Sequence, residues 1–228
     1  MLLLAVDTSG KNGSLALARV ADGDAEVKII EVVPLTGGTF SAQLIPQLSA
    51  LLANHGYSKA DIAAFAAVSG PGSFTGLRVG LAAIKALADV LRKPIACVSL
   101  LEAIASSVSG VDRLLAALDA GRSQIYLGDY EMISDEFGLR ARMHSERLLS
   151  REEFLTEARG KLVVAPDAAL TELVRSSGIR SERVDPPTAA EIARLGWQHI
   201  LRGQIVLPED LEANYIRRSD AEIFSKPS

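Results

Sequence analysis

Apolar residues along this 228-residue chain cluster in runs that alternate between the spacing of buried strands and that of amphipathic helices. Leu2 to Asp7 is a continuous apolar run closed by an acid, and Asp7-Thr8-Ser9-Gly10-Lys11-Asn12-Gly13 is rich in turn formers. Ser14 to Val20 resumes the apolar run, so the pattern predicts a β-hairpin with a polar tip. Glu26 to Val33 predicts a third strand. Leu44, Ile45, Leu48, Leu51 and Leu52 then recur at helical spacing, in a helix from Ser41 to Asn54 that Gly56 stops. Ile62 to Val68 predicts another buried strand, followed by a Gly/Ser loop and a helix from about Thr75 to Leu91. Pro94 to Ser99 reads as strand and Leu100 to Val108 as helix.

The pattern then restarts. Leu114-Leu115-Ala116-Ala117-Leu118-Asp119 is a second apolar run ending in Asp, with Ser123 to Tyr130 as its hairpin partner. Its likeness to Leu3-Leu4-Ala5-Val6-Asp7 predicts either a duplication or a chance similarity of two buried strands. Polar strand material from Gly138 to Leu149, a helix from Arg151 to Arg159, a strand from Lys161 to Ala165 and a helix from Ala168 to Ser176 follow. A helix from Ala189 to Leu201 closes the folded region. The expected organisation is α/β with a first lobe at 1–108, completed by a helix near 189–202. A second, smaller lobe at 109–188 and an extended tail at 203–228 complete it.

Charge and cysteine content restrict function. With 24 basic and 28 acidic residues the formal charge is −4, which argues against a free-standing nucleic-acid binder. The single cysteine, Cys97, excludes an internal disulfide framework and fits a reducing compartment. Met1-Leu2-Leu3-Leu4-Ala5-Val6 lacks a basic flank and is ended by Asp7, too short for a signal peptide. No run approaches the roughly 20 apolar residues of a membrane span, and a cytoplasmic protein is expected.

Candidate chemistry is sparse. His55, His144 and His199 stand far apart, without an H-x-x-x-H or H-E-x-x-H pair, so no metal site is expected. Cys97 lies in an apolar strand, where a thiol behaves as a small hydrophobe. The most informative stretch is Ser69-Gly70-Pro71-Gly72-Ser73-Phe74-Thr75-Gly76-Leu77-Arg78-Val79-Gly80, a glycine-rich turn that opens a helix. It could hold an anion on its free N–H groups, yet it lacks the lysine of a P-loop and the spacing of a dinucleotide fingerprint. The plain alternative is a tight strand-to-helix corner with Ser73 or Thr75 capping the helix.

Gly70-Pro71-Gly72-Ser73-Phe74-Thr75-Gly76-Leu77-Arg78 resembles the signature of the TsaB (YeaZ) family almost letter for letter. Ala5-Val6-Asp7-Thr8-Ser9, Val98-Ser99-Leu100-Leu101-Glu102-Ala103 and Asp119-Ala120-Gly121-Arg122 with Ile125-Tyr126 resemble other family segments, in family order. Asn214-Tyr215-Ile216-Arg217 resembles its C-terminal tyrosine–arginine segment. The chain departs from the family at Phe40, where relatives often have histidine, and at Gly121, Arg122 and Gln124 of the second hairpin.

The resemblance implies the duplicated fold of the actin, sugar-kinase and Hsp70-ATPase class, which is RNase H-like and two-lobed. It implies a non-catalytic dimerisation subunit of the machinery that puts threonylcarbamoyl on a tRNA adenosine. The implied partners are the catalytic paralogue TsaD and the ATPase TsaE, with a homodimer when the chain is alone and tRNA met only through the complex. It implies no cofactor of the chain's own, with ATP and Mg at the level of the complex. Asp7, Thr8, Ser9 and Asp119 are the candidates for nucleotide contact, because in ATP-hydrolysing members of this fold the two hairpin turns flank the phosphates. Two functional classes remain open: the scaffold subunit, or an enzyme in its own right, either a peptidase or an ATP-dependent transferase.

Helix geometry suggests where a partner docks. Leu77, Leu81, Ile84, Ala88 and Leu91 form one apolar face for the core. Gly76, Val79, Gly80, Ala83, Ala86 and Val90 form a second stripe of small residues, with Phe74 at its edge. Interior glycines each cost about 1 kcal/mol relative to alanine, so this stripe is expected either to meet a partner or to pack on a helix of the same chain.

Overall fold

A computed structural model of the chain describes residues 1–214 and 216, apart from 22 and 37. The first sheet contains β1 (Leu2–Asp7), β2 (Gly13–Val20), β3 (Val27–Leu35), β4 (Ile62–Gly70) and β5 (Ile95–Ser99), in the order β3-β2-β1-β4-β5. The second contains β6 (Arg113–Gly121), β7 (Gln124–Asp135), β8 (Gly138–Ser150), β9 (Leu162–Ala165) and β10 (Arg180–Arg183), in the order β10-β9-β6-β7-β8. In both, the first strand pairs antiparallel with the second and parallel with the fourth. The fourth and fifth strands are parallel in both. Each lobe therefore repeats one topology, the two-lobed arrangement that the family resemblance implies.

The continuous apolar runs arise because both faces of the central strands are buried. Leu2, Leu4 and Val6 of β1 face one core layer with α1 (Phe40–Asn54) and α2 (Phe74–Leu91), whose Leu44, Leu48, Leu81 and Ile84 are buried there. Leu3 and Ala5 face the opposite layer with α6 (Ala189–Leu201), whose Ile192, Ala193 and Trp197 join Ala16, Ala18 and Ala66. That sheet face is rich in alanine, which lets α6 lie close to it. The N-terminus of α6 is fixed by a capping box between Thr188 and Glu191 and by Ala189 N–H donating to Ser14 Oγ at 2.8 Å.

The second sheet carries α4 (Arg151–Glu157) and α5 (Ala168–Ser176) on one face, around Phe154, Leu170 and Val174. Its other face meets α3 (Leu100–Ala105) through Leu101, Ile104 and Ala105. Leu100 and Ala103 of α3 pack with the α6 layer instead, so this short helix lies at the seam of the lobes. α3 ends at Ala105 rather than Val108, and β7 runs to Asp135, five residues past the expected end at Tyr130. β10 has no counterpart in the expected elements, since Arg180-Ser181-Glu182-Arg183 carries no apolar alternation.

Candidate functional site

A cleft of about 1050 Å³ opens where the two hairpin turns meet the glycine-rich loop, bordered by Ser9, Lys11, Pro71, Arg78, Asp119 and Asn214. The first turn is folded tightly into the protein. Asp7 Oδ1 accepts from Ser9 N–H at 2.8 Å and from Ser9 Oγ at 2.6 Å. Burial pushes the Asp7 carboxyl above the usual carboxylate range, against the lowering effect of the Ser9 bonds. Thr8 Oγ1 donates to the Gly76 carbonyl at 2.8 Å, and Ser73 N–H donates to the Ser9 carbonyl at 2.7 Å. Asp7, Thr8 and Ser9 are all buried.

The glycines explain this contact. A Cβ at Gly72 would stand 2.5 Å from the Ser9 carbonyl oxygen, one at Gly76 2.1 Å from the Thr8 carbonyl oxygen, and one at Gly80 2.3 Å from Thr8 Oγ1. Glycines at intervals of four residues line one side of the α2 entry, and the β1–β2 turn lies along it. Gly76 and Gly80, expected on a partner surface, are thus turned inward, and their small size serves packing within the chain. Ser73, not Thr75, caps α2, its Oγ accepting from Gly76 N–H at 3.3 Å.

The second turn is different. β6 and β7 stay paired until Gly121 meets Gln124, leaving Arg122 and Ser123 at φ +54° and +59°, a two-residue turn of primed type. Asp119 is exposed, and its Oδ1 accepts from Gly121 N–H at 2.8 Å. Of the four nucleotide candidates, three are buried within the first turn and only Asp119 faces solvent. In the first turn the Thr8 and Ser9 hydroxyls are already engaged, with the Gly76 carbonyl and with Asp7, and the second turn spans only two residues.

Phe74 is half-buried at the start of α2, with the Arg78 guanidinium 3.8 Å from its ring centroid. Val79 and Ala83 are half-buried against the α1–α2 core layer. Beyond them Ala82 and Ala86 are exposed, with Val90 80% exposed. Across from this edge, α1 carries no charged residue anywhere along its length, and its Ile45 is 48% exposed. The outward side of α1 is therefore uncharged, whereas α2 exposes Arg78 and Asp89 beside its alanines.

A second constellation ties the lobes together. Glu146 of β8 accepts from Tyr130 OH at 2.5 Å, from Ser99 Oγ at the end of β5, and from Asn214 Nδ2 at 2.9 Å. Burial and the Glu146 charge push the Tyr130 phenol well above its usual range. Asn214 N–H also donates to the Ser69 carbonyl at 2.7 Å, which draws the C-terminal segment across the glycine-rich loop. Tyr215 and Arg217 of that segment lie outside the described residues.

The histidines and the cysteine take ordinary structural places. His55 meets Glu31 at 2.7 Å and His144 meets Glu131 at 3.3 Å. His199 bridges Glu102 at 2.8 Å and the Cys97 carbonyl at 3.0 Å; burial lowers its pKa, but the Glu102 carboxylate outweighs this and the net shift is upward. Burial pushes the Cys97 thiol up to about 11, so it is protonated at neutral pH and a poor nucleophile. Among the described residues no three His, Cys, Asp or Glu side chains gather as a metal-ligand set, and no helix is long and apolar enough to cross a membrane.

Comparison with known proteins adds independent findings. Residues 32–159 match the family model of TsaD, tRNA N6-adenosine threonylcarbamoyltransferase. The tRNA threonylcarbamoyladenosine biosynthesis protein TsaB of Escherichia coli K12 is 30% identical over 231 residues, covering 97% of this chain and 96% of its own. The TsaB protein of Haemophilus influenzae is 27% identical over 185 residues, covering 79% and 71%. Among solved structures, YeaZ from Pseudomonas aeruginosa superposes with a TM-score of 0.74 at 25% identity, over 94% of this chain and 100% of that one.

Proposed function

We infer the function from one premise: this chain belongs to the TsaB (YeaZ) family, and it carries a TsaD-family segment. Its role is in tRNA threonylcarbamoyladenosine biosynthesis. We propose that it fills this role as a non-catalytic scaffold subunit in the cytoplasm, binding and activating the catalytic paralogue TsaD, with the ATPase TsaE joining the pair. ATP and Mg belong to the assembled complex, and tRNA is met through it. Alone, the chain pairs with a second copy through the face it offers TsaD, since equivalent helices can meet across a two-fold axis.

One observation carries this reading: the exposed α1–α2 face, with α1 free of charge and Ile45 and Val90 exposed at 48% and 80%. Exposed apolar area of this kind is costly in water unless a partner covers it. Phe74, Val79 and Ala83 border the face, whereas Gly76 and Gly80 support it from within. The non-catalytic part rests on the closed first turn, on the protonated Cys97 thiol and on Ser73 acting as a helix cap.

Co-purification with TsaD, followed by light scattering for stoichiometry, tests the proposal. Ile45→Glu and Ala86→Glu, both at exposed positions, should abolish the complex while the isolated variants melt like the wild type. Variants that fold and still bind TsaD normally would place the interface elsewhere.

A further inference from the structure

A second pocket, of about 330 Å³, lies at the far end of the second sheet from the cleft, where β6, β9 and β10 begin. Arg113, Leu114, Gly160, Lys161, Leu162 and Arg180 line it, so three of its six residues are cations and none is acidic. β6 runs from Arg113 to Gly121, which separates this pocket from the second hairpin turn by about 26 Å at the usual rise of a strand.

The register sets Arg113 and Lys161 side by side on one sheet face, and the pocket at the strand ends is where Arg180 joins them. Leu115 pairs with Val163, so two residues back along both strands Arg113 stands beside Lys161. Arg180 pairs with Leu162 on the next strand, so it belongs to the alternate row and borders the pocket from the other face at the strand end. Like charges on neighbouring strands repel unless an anion offsets them. The protein's own anions do so only in part. Asp129, nearly buried, takes Arg113 Nε and Nη2 at 2.8 and 2.9 Å. Lys161 Nζ stands 3.7 Å from Asp129 and 3.9 Å from Glu157, and Glu157 is also held by Arg147. The side chain of Arg180 makes no hydrogen bond or ion pair among the described residues, and it is exposed.

We propose that Arg113, Lys161 and Arg180 form an anion site that takes a phosphate of an RNA backbone. The Arg180 guanidinium supplies a complete donor fork, which matches two phosphate oxygens at once, and Lys161 supplies a mobile point charge. Arg113, held by Asp129, fixes the wall of the pocket. The source of the phosphate rests on the proposed role in tRNA modification. A site some 26 Å from the cleft suits an extended polyanion, part of which reaches the catalytic partner while its backbone passes over this lobe. The net charge of −4 is then no obstacle, because the basic groups are gathered in one place.

The test uses the full chain alone, labelled with ¹⁵N and titrated at low salt with an RNA hairpin the size of an anticodon stem-loop. Amide shifts should be confined to residues 113–114, 160–162 and 180. The double variant Lys161→Gln with Arg180→Gln should weaken the hairpin at least about five-fold, leave the melting temperature unchanged, and lower the salt slope by about one to two. Shifts elsewhere, no shifts at all, or equal affinity in the folded variant would each overturn the proposal. Inorganic phosphate is titrated in parallel; if it moves these amides and the hairpin does not, the site takes a free anion and the RNA assignment is wrong. Failure of the scaffold reading appears separately, as a wild-type chain that does not co-purify with TsaD.

Discussion

The hairpins that open the two lobes pair their strands alike and each carries an aspartate at the strand end, but their turns are built in opposite ways. Between β1 and β2 the chain makes a long loop whose Asp7, Thr8 and Ser9 are buried and bonded to one another or to α2. Between β6 and β7 only Arg122 and Ser123 intervene, and Asp119 stays exposed. The two sheets share one topology, in which register and two-sided burial constrain every central strand. The turns are under no such constraint. The first is a packing element that seats α2, and the second a short surface link.

The sharpest way to break this comparison is to add one methyl group to each side. Gly76→Ala puts a Cβ 2.1 Å from the Thr8 carbonyl oxygen, a backbone atom that cannot swing away. Overpacking of this kind should cost about 3 kcal/mol and lower the melting temperature by about 6–12 °C in a thermal scan. A fall of less than about 2 °C would mean that the turn does not lie against α2.

A smaller effect concerns Asp7. Burial raises its folded pKa above the ordinary 3.8, so the folded state holds this proton more tightly than the unfolded chain. Stability from this group is therefore lost as pH rises from the ordinary carboxylate range through the folded value. Asp7→Asn keeps the oxygen that accepts from Ser9 and has no charge to bury. Its melting temperature should exceed the wild type's by a few degrees at pH 7, with the difference closing toward pH 4. A variant less stable than the wild type at pH 7 would show that the charged form is needed there.

The smallest effect should come from the second turn. Gly121 has φ +69° and no heavy atom within 4 Å of the place a Cβ would take, so Gly121→Ala meets only backbone strain. About 0.5–1 kcal/mol, or about 2 °C of melting temperature, should be lost. A loss as large as that of Gly76→Ala would erase the distinction between the turns.

Much of this was legible because hydrophobic period and caps agree where an element is buried. The α5 and α6 spans match the helices expected at 168–176 and 189–201, and the structure shows Asp167 and Thr188 capping them. The first hairpin follows from runs buried on both faces. β10 was hidden because its four residues are held by backbone pairing to β9 and by polar bonds from Ser181 and Arg183 to backbone carbonyls, and Arg-Ser-Glu-Arg buries no side chain. The glycines of α2 were legible as a stripe that something must approach, but not as a stripe approached by Thr8. Sequence spacing gives the face of a helix and not the identity of its neighbour. The Glu146 junction with Ser99, Tyr130 and Asn214 joins residues far apart in sequence, and nothing in the spacing of the chain shows that they meet.

The most direct measurement is threonylcarbamoyl transfer to tRNA in a reconstituted system, with threonylcarbamoyl-AMP as donor and TsaD and TsaE present or absent. The chain alone should give no modified adenosine. The wild-type chain with its partners should give full turnover, and Ile45→Glu with the same partners should give less than about one-hundredth of it. Turnover by this chain without TsaD, or full turnover with the folded Ile45→Glu variant, would contradict a scaffold that acts through its α1–α2 face.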